Sequence, residues 1–387
     1  MYIRVGILCL VWCWAATAHA SQPSPLDGYR SPTLRGNRLD GWTLENEARV
    51  SIRDGVLSLE SGTGWLRSDH RYANFRLQCQ WKSAGADSGI YFGASPDGRP
   101  FPEDAYEVDL AMGREGAIPG IPGAEPNGLS QPAGEWSELD LVVLDGTVTL
   151  AMDGRRVYSV DGLEPTVGHL GLQISATAPE QFAFRNLTIT ELGYRSLFNG
   201  KDLSGWEGAG RPASSCWDVR DGAIICTSRQ GPWLRSKQLF DDFNLRLEYL
   251  VAPGANSGIY VRVPANGNHH RDDETLPSAG FEVQVLDDSA PKYSELKDYQ
   301  YSGSVYDIAG ARQHVGKPPG EWNTLEINCD GHHVTTVHNG VEIVDASAAE
   351  FPLLTLRRLN GYLGLQNHGP NVQFRRLRIG PPLADAP

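Results

Sequence analysis

The feature that most constrains the fold is that one series of short motifs occurs twice, in the same order, along the 387-residue chain. The clearest pairs are R-D-G-V-L at 53–57 with R-D-G-A-I at 220–224, S-G-I-Y at 88–91 with S-G-I-Y at 257–260, and G-H-L-G-L-Q at 168–173 with G-Y-L-G-L-Q at 361–366. The offset between the copies grows along the chain, so the second copy carries the longer loops. We predict two homologous domains, at 21–193 and 194–382, and a tail at 383–387.

Both copies carry the signals of β-structure. Tight-turn dipeptides lie between alternating apolar runs, a pattern typical of two-residue β-hairpins. These dipeptides are Asp54-Gly55, Asp153-Gly154, Asp221-Gly222 and Asn339-Gly340. Helical periodicity is scarce. We therefore predict an all-β chain in which each copy is a β-sandwich.

Residues 1–20 have the pattern of a secretory signal peptide. Arg4 precedes an apolar run at 5–18, and Ala18-His19-Ala20 supplies the small residues of a cleavage site. The run is too short to span a bilayer, and no other apolar run approaches that length. We predict cleavage after Ala20 and a secreted or periplasmic protein with no membrane span.

Composition argues against nucleic acid as a partner and leaves open whether the protein has a disulfide bond. The formal net charge is −13, and an acidic protein repels phosphate backbones, so nucleic acid is not expected as a partner. Four cysteines follow the signal segment, with no C-x-x-C spacing that would indicate a zinc site. They are Cys79, Cys216, Cys226 and Cys329. We expect buried thiols, and because an exported protein can form disulfides, one bridge is left open.

The stretch 280–288, G-F-E-V-Q-V-L-D-D, alternates strictly in the second copy. Side chains of a strand alternate between its two faces, so Phe281, Val283 and Val285 share one face and form part of a core. Glu282 and Gln284 then lie on the other face. An unpaired buried charge is costly, which predicts that this face is wet or lines a cleft.

The same parity argument applied to two neighbouring segments yields a polar and aromatic face, provided that the strands share one sheet. Its predicted members are Tyr260, Arg262, Glu282, Gln284, Gln366 and His368. A solvated outer face is the alternative for any one of them. Solvated faces are usually rich in Lys, Glu, Ser and Thr, however, so the whole set favours a binding face.

The first copy lacks much of this face. It keeps Tyr91, Glu107 and Gln173. Elsewhere it substitutes Gly93 for Arg262, Asp109 for Gln284, Pro119 and Gly120 for Tyr306 and Asp307, and Gln131 for Lys317. We interpret the first copy as a degenerate duplicate with a structural or binding role.

Several motifs of the second copy form an ordered set that is specific to one family. They are F-N-G-K-D-L-S-G-W at 198–206, N-S-G-I-Y-V-R at 256–262, F-E-V-Q-V-L-D-D at 281–288, G-E-W-N at 320–323 and G-L-Q-N-H-G at 364–369. This set resembles the 3-keto-disaccharide hydrolase domain, also called 3-keto-glucoside 1,2-lyase/3-keto-2-hydroxyglucal hydratase. The resemblance covers nearly all of 196–380 and, more weakly, 38–192. It implies tandem concanavalin A-like jelly-roll sandwiches and an exported protein that acts on an oxidised (3-keto) disaccharide or glycoside.

The chemistry implied by the resemblance needs a base, an acid and a stabiliser for a developing oxyanion. A keto group at carbon 3 acidifies the hydrogen on carbon 2, and its removal expels the substituent on carbon 1. Glu282 and His368 fit the acid–base pair, and Tyr306, Arg262 or a bound metal fits the oxyanion stabiliser. The residues expected to bind substrate are Asn256, Tyr260, Arg262, Gln284, Asp307, Lys317 and Gln366.

No cofactor is required by this interpretation, although Glu282 and His368 could instead be ligands of a divalent metal. His269 and His270 lie in a loop between Pro264 and Pro277, and we expect them to be exposed.

Two other functions remain open from the sequence. Glucanases of the concanavalin A-like fold carry E-x-D-x-E on one strand, whereas Glu282-x-Gln284 is followed by Leu286, which disfavours ordinary retaining hydrolysis. A non-catalytic lectin-like module, with Tyr260 and Tyr362 stacked on sugar, is the other alternative, because a fold does not determine a function.

Overall fold

The structure is a computed structural model that describes residues 24–384 except 25, 97–99, 126–131, 165–166, 177–180 and 230. Within these residues every regular element is a β-strand or a short 3-10 turn, so the all-β prediction is confirmed. The signal peptide predicted at 1–20 lies outside the described residues. Among the residues described, no helix combines the length and the apolar character that crossing a membrane requires.

The described part of the first half of the chain forms fourteen strands, which we call the first sandwich. They are β1 Gly28–Pro32, β2 Leu34–Arg35, β3 Arg38–Leu39, β4 Trp42–Asn46, β5 Arg49–Arg53, β6 Val56–Tyr72, β7 Phe75–Ser83, β8 Gly89–Ala94, β9 Tyr106–Asp109, β10 Ser137–Leu144, β11 Thr147–Met152, β12 Arg155–Val160, β13 Gly168–Ala176 and β14 Phe182–Leu192.

The described part of the second half forms the second sandwich. Its strands are β15 Arg195–Ser196, β16 Trp206–Gly208, β17 Trp217–Arg220, β18 Ala223–Cys226, β19 Leu234–Phe240, β20 Phe243–Val251, β21 Asn256–Val263, β22 Phe281–Leu286, β23 Asn323–Asp330, β24 His333–His338, β25 Val341–Ala346, β26 Gly361–Leu365 and β27 Val372–Gly380. Short 3-10 turns lie at Ala213–Ser215, Pro291–Tyr293, Asp298–Gln300 and Pro352–Leu356.

Each half consists of two antiparallel layers around its own apolar core, which confirms the predicted jelly-roll sandwich class. In the second sandwich an eight-stranded sheet, in the order β17-β18-β27-β20-β23-β24-β25 with β15 beside β27, faces a five-stranded sheet in the order β16-β19-β26-β21-β22. In the first sandwich the long strand β6 runs through both layers and joins them into one twelve-stranded sheet. The corresponding segments of the second sandwich are the separate strands β18 and β19.

All four predicted hairpin turns are confirmed by their backbone angles. At each turn both residues have positive φ, as at Asn339 (50°) and Gly340 (80°). Asn, Asp and Gly tolerate this left-handed conformation, and its twist matches that of the flanking strands. The turn chemistry read from the sequence therefore fixes these hairpins.

Strand β22 has the two faces that the alternation predicts. Phe281, Val283 and Val285 are at most 1% exposed and belong to the core of the second sandwich. Glu282 and Gln284 lie on the opposite face and are also buried, at 3% and 5% exposure. Strands β19, β26, β21 and β22 share one sheet, which confirms the assumption behind the predicted polar face.

The loop between β22 and β23 explains why that face is covered. Its segment around Val305 runs antiparallel to β22, with a bridge between Val283 and Val305 and a 2.8 Å bond from Tyr306 N to Glu282 O. Strand β22 lies at the edge of its sheet, and an edge strand needs partners for its backbone groups. The loop supplies them and brings the Tyr306 side chain beside Glu282.

A buried network of charges joins the two sandwiches. Glu191 of β14 receives bonds of 2.8–2.9 Å from the Arg378 Nε and lies 3.3 Å from the Arg246 guanidinium. Arg246 Nε also lies 3.0 Å from Glu326, and Glu326 lies 2.9 Å from Nδ1 of His70. Buried charges persist when each has a partner, so this network ties the two sandwiches together.

All four cysteines of the described residues are buried and free. Trp217 pairs with Cys226 across the β17–β18 hairpin, as the turn predicts, so Cys216 does not face Cys226 directly. Cys216 Sγ instead lies 3.3 Å from the carbonyl oxygen of Pro232. The expectation of buried thiols is confirmed.

Candidate functional site

Glu282 occupies the floor of a cleft of about 200 Å3 in the second sandwich. The cleft is lined by Asn256, His269, Glu282, Gln284, Leu286, Tyr293, Leu296, Gln300, Tyr306, Gln366 and His368. On the neighbouring strand, Gly258 stands opposite Gln284, and a Cβ on Gly258 would overlap Oε1 of Glu282. The missing side chain at position 258 therefore lets the carboxyl group fold down onto the sheet.

The environment of Glu282 favours its protonated form. Burial, together with the nearby carboxylate of Asp307, raises the pKa of Glu282 to about 8. Gln366 Nε2 donates a 2.9 Å hydrogen bond to Oε2 of the same group. A carboxyl group whose pKa lies near neutrality is suited to both accepting and releasing a proton.

His269 is the direct partner of Glu282, with its Nε2 3.3 Å from Oε2 of the glutamate. The distance would suit an ion pair, but burial lowers the pKa of His269 while the pKa of Glu282 is raised. A neutral pair is therefore favoured at neutral pH. Nδ1 of His269 lies 3.0 Å from the carbonyl oxygen of Gly267 and so carries the ring proton, which leaves Nε2 to accept the proton of Glu282.

The expectation that His269 is exposed was wrong, because its side chain is only 29% exposed. Its ring stacks on Tyr260 at 4.7 Å between centroids, and Tyr260 meets the ring of Trp233 edge-on at 5.3 Å. The loop between β21 and β22 folds back over the sheet, a feature that polar loop composition does not reveal. The sequence signal that could have indicated it is the apolar surface offered by Tyr260 and Trp233.

The loop after β22 supplies the opposite wall. Gln300 Nε2 donates a 3.1 Å bond to the Tyr306 hydroxyl, which leaves the Tyr306 proton free to donate elsewhere. Asp307 pairs with Nδ1 of His270 at 2.7 Å and is the second carboxylate near Glu282. Tyr306 and Asp307 thus lie beside Glu282, as the sequence predicted.

The remaining predicted residues of the cleft differ in exposure. Gln284 is buried, Asn256 and Gln366 are half-buried, and His368 is exposed at the rim. Asn256 Oδ1 and Gln366 Oε1 are buried acceptors without a hydrogen-bond partner in the described protein. These two oxygens can therefore accept hydrogen bonds from a ligand that carries hydroxyl groups.

Arg262 does not join the cleft, so its predicted place on this face was wrong. A β-bulge falls between Tyr260 and Val263, and Arg262 has a φ of 51°. Arg262 as a whole is 1% exposed. Its guanidinium donates a 2.6 Å hydrogen bond to the backbone oxygen of Asp241 and pairs with the carboxylate of Asp242 at 2.7 Å. The bulge interrupts the two-residue period on which the parity argument depends.

Lys317 also lies outside the cleft. It lines a groove between the sandwiches together with Trp322 and Arg375, and a second cavity beside Asp288. Its predicted position in the Glu282 site is therefore wrong. The G-K-P-P segment before β23 passes the edge of the sheet at a different point from Tyr306.

The first sandwich repeats the floor of this site, and among its described residues no histidine is paired with the equivalent glutamate. Glu107 stands over Gly89 as Glu282 stands over Gly258, and burial first, with Asp109 and Asp87, raises the pKa of Glu107 to about 7. Where Tyr260 stacks on an imidazole, Tyr91 instead contacts the ring of Phe101 at 6.0 Å. The interpretation of the first copy as degenerate rests on this difference.

Metal binding at this cleft stays a prediction. Within the described part of the chain, no three His, Cys, Asp or Glu side chains are grouped so as to hold a metal ion. Glu282 and His368 both line the cleft, but the near partner of the carboxyl group is His269 rather than His368.

Comparison with known families accords with the geometry of the cleft. The model of the 3-keto-alpha-glucoside-1,2-lyase-like domain matches residues 31–190 and again residues 193–380. The chain belongs to this family. The resemblance read from the motifs is therefore confirmed, and both sandwiches of this family member fall within the two matches.

A curated relative and two solved structures are similar to this family member. A protein from Bacteroides thetaiotaomicron named 3-keto-disaccharide hydrolase is 28% identical over 225 residues, which are 48% of this chain and 78% of that protein. A glycosyl hydrolase candidate from Parabacteroides distasonis aligns at 23% identity and a TM-score of 0.41, over 49% of this chain and 94% of its own. A second structure from that organism aligns at 25% identity and a TM-score of 0.40, over 48% of this chain and 98% of its own.

Proposed function

We propose that the second sandwich cleaves 3-keto-glycosides by removing the proton on carbon 2, expelling the substituent on carbon 1 and then adding water. The observation that carries this proposal is the pair of Glu282 and His269, whose Oε2 and Nε2 atoms lie 3.3 Å apart in one cleft. Family membership and the name of the curated relative support the substrate class. The predicted export would place this activity outside the cytoplasm.

The pair performs the first proton transfer. Glu282 passes its proton to Nε2 of His269 and, as a carboxylate, takes the proton from carbon 2 of the sugar. The electron pair of the broken C–H bond moves toward the carbon 3 ketone, whose oxygen becomes an enolate oxygen. A base with a pKa near 8 is strong enough to assist this step and is still available at neutral pH.

Tyr306 stabilises the enolate oxygen. Its hydroxyl accepts a hydrogen bond from Gln300, so its own proton is directed away from that amide and into the cleft. A donor held ready before the reaction stabilises charge that develops only in the transition state. The amide oxygens of Asn256 and Gln366 accept from the sugar hydroxyls and orient the ring.

The second half of the reaction restores the protein. The bond between carbon 1 and its substituent breaks, a double bond forms between carbons 1 and 2, and His368 at the rim protonates the departing oxygen. Water then adds its oxygen to carbon 1 and returns a proton to His368. Glu282 gives its proton to carbon 2 and is protonated again by His269. The net reaction is hydrolysis, with no oxidant or reductant consumed.

The decisive experiment uses a 3-keto-glucoside in deuterium oxide, with and without a chelator. Elimination followed by hydration places deuterium on carbon 2 of the released sugar, whereas direct displacement at carbon 1 leaves that hydrogen in place. A reaction without protein corrects for spontaneous exchange beside the ketone. Release without deuterium would favour a glucanase-like hydrolase, and loss of activity on chelation would indicate a metal.

The aromatic wall of Trp233 and Tyr260 is the observation that favours a second candidate, a carbohydrate-binding module. Aromatic rings offer an apolar surface on which a sugar ring can stack. Calorimetric binding of the unoxidised glucoside without turnover of its 3-keto form would support this candidate against the enzyme.

A further inference from the structure

A larger cavity of about 570 Å3 opens beside the catalytic cleft, and we call it the leaving-group cavity. It shares Asn256, Tyr293 and His368 with the cleft, so the two pockets adjoin. Arg229 and Lys292 line it, and none of its lining residues is an Asp or Glu. Two cations without an opposing carboxylate are notable in a chain whose formal net charge is −13.

Both cations lie close to a glycine of the cavity wall. The Arg229 Nε atom is 3.1 Å from where a Cβ on Gly369 would stand, and the Lys292 Cε atom is 3.4 Å from that position on Gly254. The Lys292 ammonium also lies 4.7 Å from the ring centre of Tyr293. Among the described residues that line the cavity there is no carboxylate to pair with either cation, so both charges are available to a ligand.

In the described part of the first sandwich neither cation has a counterpart. Gly85 corresponds to Gly254, and a Cβ there would meet nothing within 4 Å. The segment 58–64, which corresponds to the region of Arg229, contains no Lys or Arg, and the 3-10 turn that carries Lys292 lies in a loop that is longer in the second copy. The cationic cavity therefore accompanies the proton-transfer pair and is absent where that pair is absent.

We propose that the substituent on carbon 1 of the substrate is an organic anion, a carboxylate-bearing leaving group whose charge lies between Arg229 and Lys292. Pro253, Pro370 and Tyr293 provide an apolar lining for the body of that group. The proposal rests on the proposed function, because it assigns the leaving group of that reaction. An exposed ion pair contributes roughly two- to fivefold in affinity, so two cations together give a preference on the order of tenfold.

The test compares the 4-carboxyphenyl and 4-carbamoylphenyl 3-keto-glucosides, whose leaving groups differ in charge and little in size. The wild-type protein should show a kcat/KM for the carboxylate on the order of tenfold higher than for the amide. The double variant Arg229→Gln/Lys292→Gln should lose this preference, because its kcat/KM for the carboxylate falls toward its kcat/KM for the amide. Lys201→Gln, on an exposed loop outside both cavities, is the control for the loss of a surface cation and should keep the preference.

Failure of this proposal is distinguishable from failure of the proposed function. Turnover of both glycosides without a preference, or a preference that survives the double variant, would overturn the anionic leaving group alone. Absence of any turnover would contradict the proposed function. Calorimetry with the unoxidised 4-carboxyphenyl and 4-carbamoylphenyl glucosides then tests whether the cavity binds an anion. Tighter binding of the carboxylate that the double variant abolishes would support the anion site, and equal binding would overturn it.

Discussion

At the scale of single residues, Glu282 and Glu107 occupy equivalent positions with different chemical neighbours. Each is tucked against a glycine of the adjacent strand, and burial is the main cause that raises each pKa. Glu282 has the imidazole of His269 as a proton acceptor 3.3 Å away, whereas the tyrosine beside Glu107 contacts the ring of Phe101. Both carboxyl groups have a pKa near neutrality, so the two sites differ in their neighbours rather than in the strength of the carboxylate as a base.

This contrast predicts different effects of the same substitution in the two sandwiches. Glu282→Gln should lower the rate of 3-keto-glucoside cleavage by roughly 10²–10⁴-fold, the usual scale for a positioned proton transfer. Glu107→Gln should leave the rate nearly unchanged. Steady-state kinetics on both variants, with thermal melts alongside, measure the difference, and equal losses would place the site elsewhere.

The raised pKa of Glu282 also predicts how its removal changes stability. The pKa of this carboxyl group is about 8 in the folded protein, against an ordinary value of 4.5 for a solvated glutamate, so the folded state binds the proton more tightly. Stability is therefore lost as the pH rises from about 4.5 to about 8. Glu282→Gln should remove this loss, so its melting temperature should exceed that of the wild type more at pH 8 than at pH 5.

Thermal melts at the two pH values test that sign. The chosen variant keeps the shape of the side chain, so packing against Gly258 is retained. A stability gain that is equal at both pH values would contradict the raised pKa of Glu282. A gain confined to pH 5 would indicate that the pKa is lowered instead.

At the scale of elements, the sequence predicts the strands well and the loops poorly. The alternation of Phe281, Val283 and Val285 identifies the core face because β22 is regular. The same reasoning fails at Arg262, where a bulge shifts the register of β21 against β26. A bulge adds one residue to one strand only, and the local composition contains no signal that predicts it.

The covering loops were the least predictable part of the site. His269 reaches Glu282 from the β21–β22 loop, and Tyr306 reaches it from the β22–β23 loop. Their positions depend on contacts with distant elements, such as the stacking of His269 on Tyr260 and the pairing of Val305 with Val283. Periodicity carries no information about such contacts, whereas the family resemblance did indicate Tyr306.

The close approach of β21 and β22 yields a prediction at this scale. Gly258→Ala places a methyl group under 3.0 Å from Oε1, Cδ and Cγ of Glu282, so the glutamate side chain must move while the nearest atoms include no backbone atom. The fold should therefore survive while the carboxyl group leaves its place beside His269, and activity should fall by at least tenfold, since misplacement by about 1 Å costs up to 10²-fold. Gly89→Ala, which displaces Glu107 in the same way, is the matched control and should retain activity.

At the scale of the whole molecule, the buried charge network makes the two sandwiches one unit. Glu191 of the first sandwich lies between Arg246 and Arg378 of the second, and all three side chains are almost fully buried. Burial would raise the pKa of Glu191, but the two guanidinium groups outweigh it and hold that pKa below its ordinary value. The first sandwich thus has a structural role whether or not it binds a ligand.

Glu191→Gln should therefore destabilise the whole protein more than the loss of an exposed ion pair does. The variant leaves two buried guanidinium groups without their shared carboxylate, and breaking a buried pair costs about 3–5 kcal/mol. Asp140→Asn, which breaks the partly exposed pair with Arg76, is the control and should cost about 1 kcal/mol or less.

Because the pKa of Glu191 is lowered in the folded state, its stabilising effect is present above about pH 4.5 and is lost as the pH falls further. Calorimetric unfolding should show one transition for the wild type and a lower or divided transition for Glu191→Gln at pH 7, and the difference between the two proteins should shrink as the pH falls below about 4.5. Equal unfolding of Glu191→Gln and Asp140→Asn at pH 7 would show that the network does not couple the sandwiches.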